Sequence, residues 1–382
     1  MTESSKQVGA VANALIIGAG PGGLAAAIAL RQAGVEVDVA ESTPDRSVLS
    51  SELMLTSPNL RTLDKLGVAR SLLPRGVPYP QCEIHAADNT LLEVVDIHKV
   101  TEDDMPACLG LTRRTLHDGL YEGAVAAGAT IHHGTDLTSL EQAEGHVEAN
   151  FETGPSGHYE LVVGADGGRS QVRQLVFDAP EPAYVGQCAW RARVRRQGDA
   201  GLKLWYGQNA MNVYVPVDED TAFYCSLANY ESPPRLDRDR FAELLLEELD
   251  EFENGPVEQV KGELNADTHI HFAPLRYMVM PDPWYRGRVL LIGDAAHTTT
   301  PHVGYGAGLA IEDGLVIGEE VAAQESLETA LETFMQRRYE RCRKVVEAGA
   351  QLSRWQQDLV DKHSAQQAEV LDDIWLMLAE PV

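Results

Sequence analysis

The run Gly18-Ala19-Gly20-Pro21-Gly22-Gly23 constrains this chain more than any other feature. It follows a short apolar stretch, Ala14 to Ile17, and leads into LAAAIALRQAG, a strong helix that ends at Gly34. Val35 to Ala40 then alternates as a second strand and stops at Glu41. Strand, glycine turn, helix and strand make a βαβ unit, and in that context each glycine has its own task. Gly18 makes the tight turn, Gly20 lets the backbone reach a pyrophosphate, and Gly23 packs helix on strand. Glu41, at the tip of the second strand, is placed to accept from ribose hydroxyls, and an acid there disfavours a 2′-phosphate. The unit is therefore a site for FAD or NAD rather than NADP.

A second ligand-site pattern lies at the other end of the chain, in RVLLIGDAAHTTTPHVGYGAGLAIED, residues 288 to 313. Val289 to Ile292 is a buried strand of a parallel sheet. Gly293-Asp294 follows at its carboxyl end, where open α/β sheets place their ligands. A helix begins between Gly306 and Gly308, and a helix N-terminus rich in glycine lets an anion approach the backbone.

Between these ends the pattern changes twice. Residues 57–67, SPNLRTLDKLG, form a capped helix, and Cys82 to Val95 has strand character with a turn at Ala87-Asp88-Asn89. Leu109 to Thr112 leads through Arg113-Arg114 into a helix. Ala129–His132, Gly145–Phe151 and Tyr159–Val163 are strands, the last running into Gly164-Ala165-Asp166-Gly167 and a helix start near Ser170. Residues 184–228 are rich in Trp, Tyr, Val and Arg and predict antiparallel strands. Asp237 to Glu253 predicts one acidic amphipathic helix, Thr268 to Phe272 a strand, and Leu327 to Val370 helix with few breakers.

The chain has 382 residues, enough for two or three domains or for one large domain with a second inserted in it. Its formal charge of −27 argues against nucleic acid or an anionic membrane as partner, though not against a small anionic substrate. No apolar run reaches membrane-spanning length and no secretory signal is expected. Five cysteines without a CxxC pair suggest reduced thiols and a cytoplasmic protein. His132-His133 and His269/His271 lack the nearby acids or cysteines of a metal set, so no metal is expected.

Three motifs stand in order: GAGPGG at 18–23, GADGGRSQVR at 164–173 and GDAAHTTTPHVGYG at 293–306. Together they resemble the single-component, class A FAD-dependent aromatic hydroxylases, the p-hydroxybenzoate hydroxylase-like family, over about residues 12 to 345. Flanking pieces agree: R-x-x-L-H from Arg113 to His117, S-P-N-x-x-x-L-x-x-L-G at 57–67, W-x-x-G-R-V from Trp284, and I-E-D at 311–313. The middle segment, with CAWRARV and NVYVPV, is similar to the salicylate/6-hydroxynicotinate hydroxylase-like branch.

The resemblance implies an α/β protein with a Rossmann-like FAD-binding domain assembled from three chain segments, an inserted, mainly antiparallel β-sheet substrate domain and a C-terminal helical region. The expected divisions are a disordered tail at 1–10, FAD-binding segments at 11–75, 101–183 and 273–325, substrate-domain strands at 76–100, a substrate-binding domain at 184–272 and the helical region at 326–382. It also implies the reaction. NADH or NADPH binds transiently and reduces non-covalent FAD, O2 is the co-substrate, and a flavin C4a-hydroperoxide hydroxylates a phenol, salicylate or hydroxypyridine type of ring. The alternatives are another flavin-dependent oxidoreductase (epoxidase, reductase or oxidase) and a non-catalytic FAD-binding scaffold or sensor. The small aromatic substrate is the expected partner of a monomer or homodimer.

The same resemblance assigns candidate residues. Gly18, Gly20, Pro21, Gly22, Gly23 and Glu41 hold the ADP half of FAD. Arg113 lies near the pyrophosphate or ribityl chain, with Arg114 as competitor, and Asp294 contacts the ribityl side or pyrophosphate. Gly304, Gly306 and Ala307 offer backbone N–H groups to the flavin ring. Asp166 either binds cofactor or caps the following helix, and Arg173 pairs with Asp166 or with the cofactor. On the substrate side Pro301 lies beside the reacting ring. His302 is either a base, suited to neutral pH, or a hydrogen-bonded wall. Tyr214 is a substrate contact or core. Arg191 binds a carboxylate or is structural, and Trp205, Asn212 and Tyr305 are further pocket candidates. Two departures stand out: Ser50-Ser51-Glu52-Leu53 replaces a G-A-G-I-like segment, and Tyr305 replaces a glutamine.

Overall fold

The computed structural model describes residues 10–45, 52–101, 104–198, 201–358 and 365–382. The expected tail, apart from residue 10, and Ser50-Ser51 of the departing segment lie outside the described residues. The chain begins β1 (Asn13–Ile17), α1 (Pro21–Gln32), β2 (Glu36–Glu41), the βαβ unit read from sequence. β3 (Glu52–Thr56) leads into α2 (Ser57–Lys65), whose entry is fixed where the Thr56 N–H donates to Asn59 Oδ1 at 3.1 Å. After the short α3 (Ala69–Leu72) come β4 (Val77–Tyr79), β5 (Gln81–Ala86) and β6 (Leu91–Asp96), then β7 (Cys108–Thr112) and α4 (Arg113–Ala126). β8 (Thr130–His133), β9 (Asp136–Ala143), β10 (His146–Thr153), β11 (Gly157–Tyr159), β12 (Leu161–Gly164) and α5 (Gln171–Val176) complete the first half.

The second half opens with β13 (Ala183–Arg195), β14 (Leu202–Tyr206), β15 (Ala210–Pro216) and β16 (Thr221–Asn229). α6 (Phe241–Glu248), α7 (Gly255–Glu263) and β17 (Ile270–Tyr277) follow, then β18 (Tyr285–Arg286) and β19 (Val289–Leu291). α8 (Gly306–Ala323), α9 (Leu327–Gln357) and α10 (Ala365–Ala379) close the chain.

Two sheets carry the architecture. The first has the order β18-β19-β12-β1-β2-β8. β19, β12, β1, β2 and β8 run parallel, so the glycine turn after β1, the GADGG turn after β12 and the GD turn after β19 emerge side by side at one edge. β1 and β12 are buried nearly throughout, as a parallel strand covered on both faces must be. The second sheet has the order β17-β13-β16-β15-β14-β5-β6 and is antiparallel except where β14 meets β5. α6 and α7 cover one of its faces, closing a core of Trp190, Trp205, Tyr214, Tyr224 and Phe252. The other face closes on a separate cluster that includes Tyr79, Met211, Val215 and Cys225, with Met54 and Val213 packed beside it.

Several elements differ from expectation for identifiable reasons. The single helix expected over 237–253 spans only Phe241–Glu248, and α7 is a separate helix set off by Asn254 and Gly255, which take left-handed φ angles of 65° and 59°. β9 is mostly polar and exposed, so it carries little alternation to read. β17 runs on to Tyr277, across the boundary expected at 272. It tolerates Pro274 because it is an edge strand that needs no second ladder. The helix beginning at Leu327 ends at Gln357, where Asp358 turns extended, rather than continuing to Val370.

Candidate active site

The glycine turn has the shape that a pyrophosphate needs. Gly18 takes φ +104°, and a Cβ there would lie 2.5 Å from the Ala165 carbonyl oxygen. A Cβ on Gly23 would lie 2.0 Å from the Gly18 oxygen, so only glycine allows α1 to sit this close to β1. Gly20 is different: nothing lies within 4 Å of its missing Cβ. That opening is beside an α1 N-terminus whose Gly20 cap offers no side chain, so its amides are left for an anion. A Cβ on Gly22 would lie 3.1 Å from the Ala310 Cβ, so glycine there lets α1 pack closely on α8. Pro21 fills the first helical position, where no N–H is needed. Glu41 accepts from the Ala19 N–H and the Thr43 N–H, each at 2.8 Å. Burial pushes its carboxyl up, but these hydrogen bonds outweigh it and hold the group below its ordinary value.

The free polar groups of the cleft converge from other elements. Asp294 follows β19, is exposed along the cleft although protein surrounds it at longer range, and its carboxylate has no hydrogen-bond partner among the described residues. The surrounding protein pushes its carboxyl up, opposed by His297 and Arg113. Arg113 opens α4 and its side chain makes no hydrogen bond among the described residues, whereas Arg114 turns away to Asp118 at 2.8 Å. Of the two arginines, Arg113 is thus the one available to a phosphate. Its guanidinium is disfavoured first by desolvation and then by Arg191, and favoured by Asp294 and Glu52. The first turn of α8, at Gly306 and Ala307, is half-buried and also lacks a side-chain cap. Gly304 holds φ +71°, and a Cβ there would lie 2.7 Å from Met54 of β3. Open backbone at Gly20, an unpaired acid and an unpaired guanidinium fit a dinucleotide.

Asp166 has a different task. It accepts from Ser170 Oγ and from the backbone N–H groups of Gln171 at 2.6 Å and Val172 at 3.0 Å, which caps α5. Arg173 pairs with neither Asp166 nor the cleft; it is buried and donates to the carbonyls of Ala295 and Gly168.

Sheet parity rearranges the expected substrate residues. Successive side chains of a strand point to opposite faces. Ala210 and Tyr214 of β15 belong to the core under α6 and α7, with Asn212 between them on the same face, while Met211, Val213 and Val215 turn to the other face. Tyr214 is fully buried, and its hydroxyl accepts from the Gln197 N–H at 2.8 Å. Trp205 is likewise buried in that core and donates to Asn89 Oδ1 at 3.0 Å. Asn212 is fully buried there without a side-chain partner. These three expected substrate contacts therefore face away from the cleft. Tyr305 is also displaced: it is buried, donates to Glu312 Oε1 at 2.8 Å and meets Trp375 of α10 edge-on.

His302 does not match a base. Its Nδ1 lies 3.0 Å from Thr300 Oγ1, and its Nε2 is buried facing Gln356 without closing a hydrogen bond. Burial pushes the imidazole down to about 4, so it is neutral near pH 7. Pro301 is exposed, and its carbonyl accepts from the Gly304 N–H at 2.9 Å. Arg191 does face the cleft side, since Trp190 and Ala192 occupy the other face of β13.

Sequence reasoning missed the support beneath the GD turn. Asp313 accepts from His297 Nε2 at 2.6 Å, from the Gly293 N–H at 2.9 Å and from Arg338 Nε at 2.7 Å. Glu312 takes Arg338, Arg341 and the Tyr305 hydroxyl. His297, Asp313 and Cys342 come close enough to suggest a metal set, but the Arg338 guanidinium already contacts both Asp313 and Cys342. The signal lay in I-E-D at 311–313 and the arginines three apart at 338 and 341.

The fold and cleft have known counterparts. A family model described as FAD binding domain matches residues 11–349. The chain belongs to this FAD-binding family. It is 28% identical to a putative FAD-dependent monooxygenase, YetM, of Bacillus subtilis, over 89% of this chain and 92% of that one. It is 28% identical to 6-hydroxynicotinate 3-monooxygenase of Pseudomonas fluorescens, over 86% and 88%. The crystal structure of Klebsiella pneumoniae HpxO complexed with FAD and uric acid shares the fold, with a TM-score of 0.80, 22% identity and coverage of 97% and 93%. FAD is the cofactor of this chain, and the residues around Gly20, Arg113 and Asp294 fit it.

Proposed function

We propose that this FAD-dependent monooxygenase hydroxylates an electron-rich aromatic or N-heteroaromatic ring held between the flavin and the antiparallel sheet. The observation that carries the assignment is the division of one cleft. Gly20, Arg113, Asp294 and the start of α8 form a polar wall for the cofactor. Met54, Leu204 and Val213, each partly open and packed on one cluster, form an apolar wall suited to a flat ring. The ring-hydroxylating relatives support the same assignment.

Bound FAD supplies reduction by NADH or NADPH and activation of O2. The chain's own residues do the positioning. The α1 amides and Arg113 take the phosphates, Glu41 the ribose, Asp294 the ribityl side, and Gly306 with Ala307 the ring system. The apolar sheet face excludes water and orients the substrate. His302, neutral and turned toward Thr300 and Gln356, serves as a fixed wall that takes no proton from the ring hydroxyl. The protein works in the cytoplasm as a monomer or homodimer, in keeping with five free cysteines; no described helix is long and apolar enough to cross a membrane.

The test is aerobic NADH and NADPH consumption by the FAD-loaded enzyme against phenols, salicylates, hydroxypyridines, quinolones and purines, with product mass. Stimulated consumption with a product heavier by one oxygen atom is expected. Hydrogen peroxide as the only product would mark an oxidase, and no response to any ring would leave an FAD-binding scaffold.

A further inference from the structure

β6 ends the order β17-β13-β16-β15-β14-β5-β6, and among the described residues no strand pairs with its outer side. Every residue from Leu91 to Asp96 is exposed. Leu91, Leu92, Val94 and Val95, at 53%, 49%, 46% and 39%, are four of the seven large apolar side chains exposed among the described residues. The other edge of the same sheet is guarded: β17 carries Pro274 and Arg276, and Arg276 is its one exposed residue. An open apolar edge is a template for another strand, and proteins block such edges with proline, lysine or a bulge. β6 has neither proline nor lysine. Its register with β5 is irregular between Ile84 and His85, at the Leu91–Leu92 end, and regular from Glu93 to Asp96. The Ile97 N–H donates to the Pro80 carbonyl at 2.8 Å. Bonded and unbonded pairs alternate along antiparallel strands, so Glu93 and Val95 also turn their backbone toward β5. The N–H and C=O groups of Val94 and Asp96 therefore point outward, with no strand to meet them.

We propose that β6 is the docking surface for a second copy of this chain, the two β6 strands pairing antiparallel about a two-fold axis at Val95. A two-fold contact must be self-complementary, and three centres use the free backbone groups. Centring on Asp96 opposes two carboxylates, which is unfavourable. Centring on Val94 sets Asp96 against the partner's Leu92, where the ladder is irregular. Centring on Val95 lets Val94 and the partner's Asp96 exchange both backbone hydrogen bonds, and symmetry repeats the pair. Val95 then packs on the partner's Val95, and Glu93 lies against the partner's Ile97. No acid stands directly opposite an acid, which matters in a chain of charge −27. The same charge disfavours an anionic lipid surface as the occupant. Pairing joins the two seven-stranded sheets into one and braces β5 and β14, the strand that carries Leu204 of the apolar wall. One strand pair is a small interface, so the dimer is reversible.

Sedimentation equilibrium of the FAD-loaded protein from about 1 µM to about 100 µM should show monomer passing into dimer, the range expected of a contact this small. Val95→Lys opposes two cations at the axis and should weaken the dimer at least about tenfold, with FAD content unchanged. Val95→Ile should keep it. Oxidative cross-linking reads the register, in a Cys82→Ser background because Cys82 is the neighbour of Val95 on β5. Val95→Cys should give a disulfide-linked dimer, since residues opposed in this way lie about 4.5 Å apart at Cα. Leu91→Cys, roughly 26 Å from its own copy in that register, should not. A protein that stays monomeric across the concentration range overturns the proposal. So does a dimer indifferent to Val95→Lys, or one that Leu91→Cys links as readily as Val95→Cys. A monomer that floats with phosphatidylcholine vesicles would make β6 a lipid-binding edge and overturn it as well.

Discussion

His302 shows how position and surroundings part company at the level of one residue. It stands next to Pro301 at the cleft, yet neither ring nitrogen is open to a substrate. The pH consequence follows from its direction of shift. Below its ordinary 6.5 the unfolded chain takes up a proton that the folded protein refuses until about 4. Stability therefore falls as pH drops through that window, by up to about 3 kcal/mol at its foot. Urea unfolding of wild type and His302→Gln across pH 6.5 to 4.5 should show a flatter acid limb in the variant; parallel limbs would mean the ring is not held neutral. Tyr214 makes the complementary case. Since its hydroxyl serves the Gln197 N–H under α6 and α7, Tyr214→Phe should cost about 1 kcal/mol of stability and leave coupling of NAD(P)H to product unchanged. A fall in coupling would place Tyr214 in the site after all.

At the level of elements, period-2 alternation decides which half of β15 can meet a ligand. The strand was legible in NVYVPV, but both faces of β15 are apolar enough to be core, so composition could not say which face looked toward the flavin. Packing of α6 and α7 on one face made that choice. The α8–α9 contact is a second such case. Arg338 is fully buried and bonds to Glu312, Asp313, the Leu309 carbonyl and Cys342. Arg338→Met would strand buried carboxylates that keep only part of their partners. It should cost about 3–5 kcal/mol and loosen the GD turn that Asp313 holds through the Gly293 N–H. Denaturant midpoints and FAD dissociation measured together check this. An unchanged midpoint would show that the carboxylates find other partners.

At the level of the whole molecule, the parallel sheet gathers strands from residues 13–41, 130–133, 161–164 and 285–291, and the second sheet gathers residues 81–96, 183–229 and 270–277. The two interleave along the chain, so the cleft between them exists only when both have formed. Glu52 on β3, a strand of a third, small sheet of order β3-β7-β4, pairs with Arg193 on β13 and so ties that small sheet to the second one, and Glu52 belongs to the segment that departs from the family pattern. The charge of −27 also acts at this scale, since like charges repel within the compact state. Raising ionic strength from about 0.01 M to about 0.15 M shortens the screening length from about 30 Å to about 8 Å. The melting temperature should rise over that range in sodium chloride. A flat or falling response would show that local ion pairs outweigh the global repulsion.

The amino-acid sequence alone determined the βαβ unit, the three cofactor turns and the chemistry class. Each of those depends on local chain geometry: a glycine that must turn, a helix start that must stay open, an acid at a strand tip. Contacts between distant segments were outside its reach. Which of two arginines faces the cleft, which face of β15 meets the ring, and whether His302 titrates near neutrality all depend on what packs against them. Arg191 illustrates both halves, a residue visible in WRAR whose place on the cleft side could be seen only once β13, β16 and β17 lay side by side.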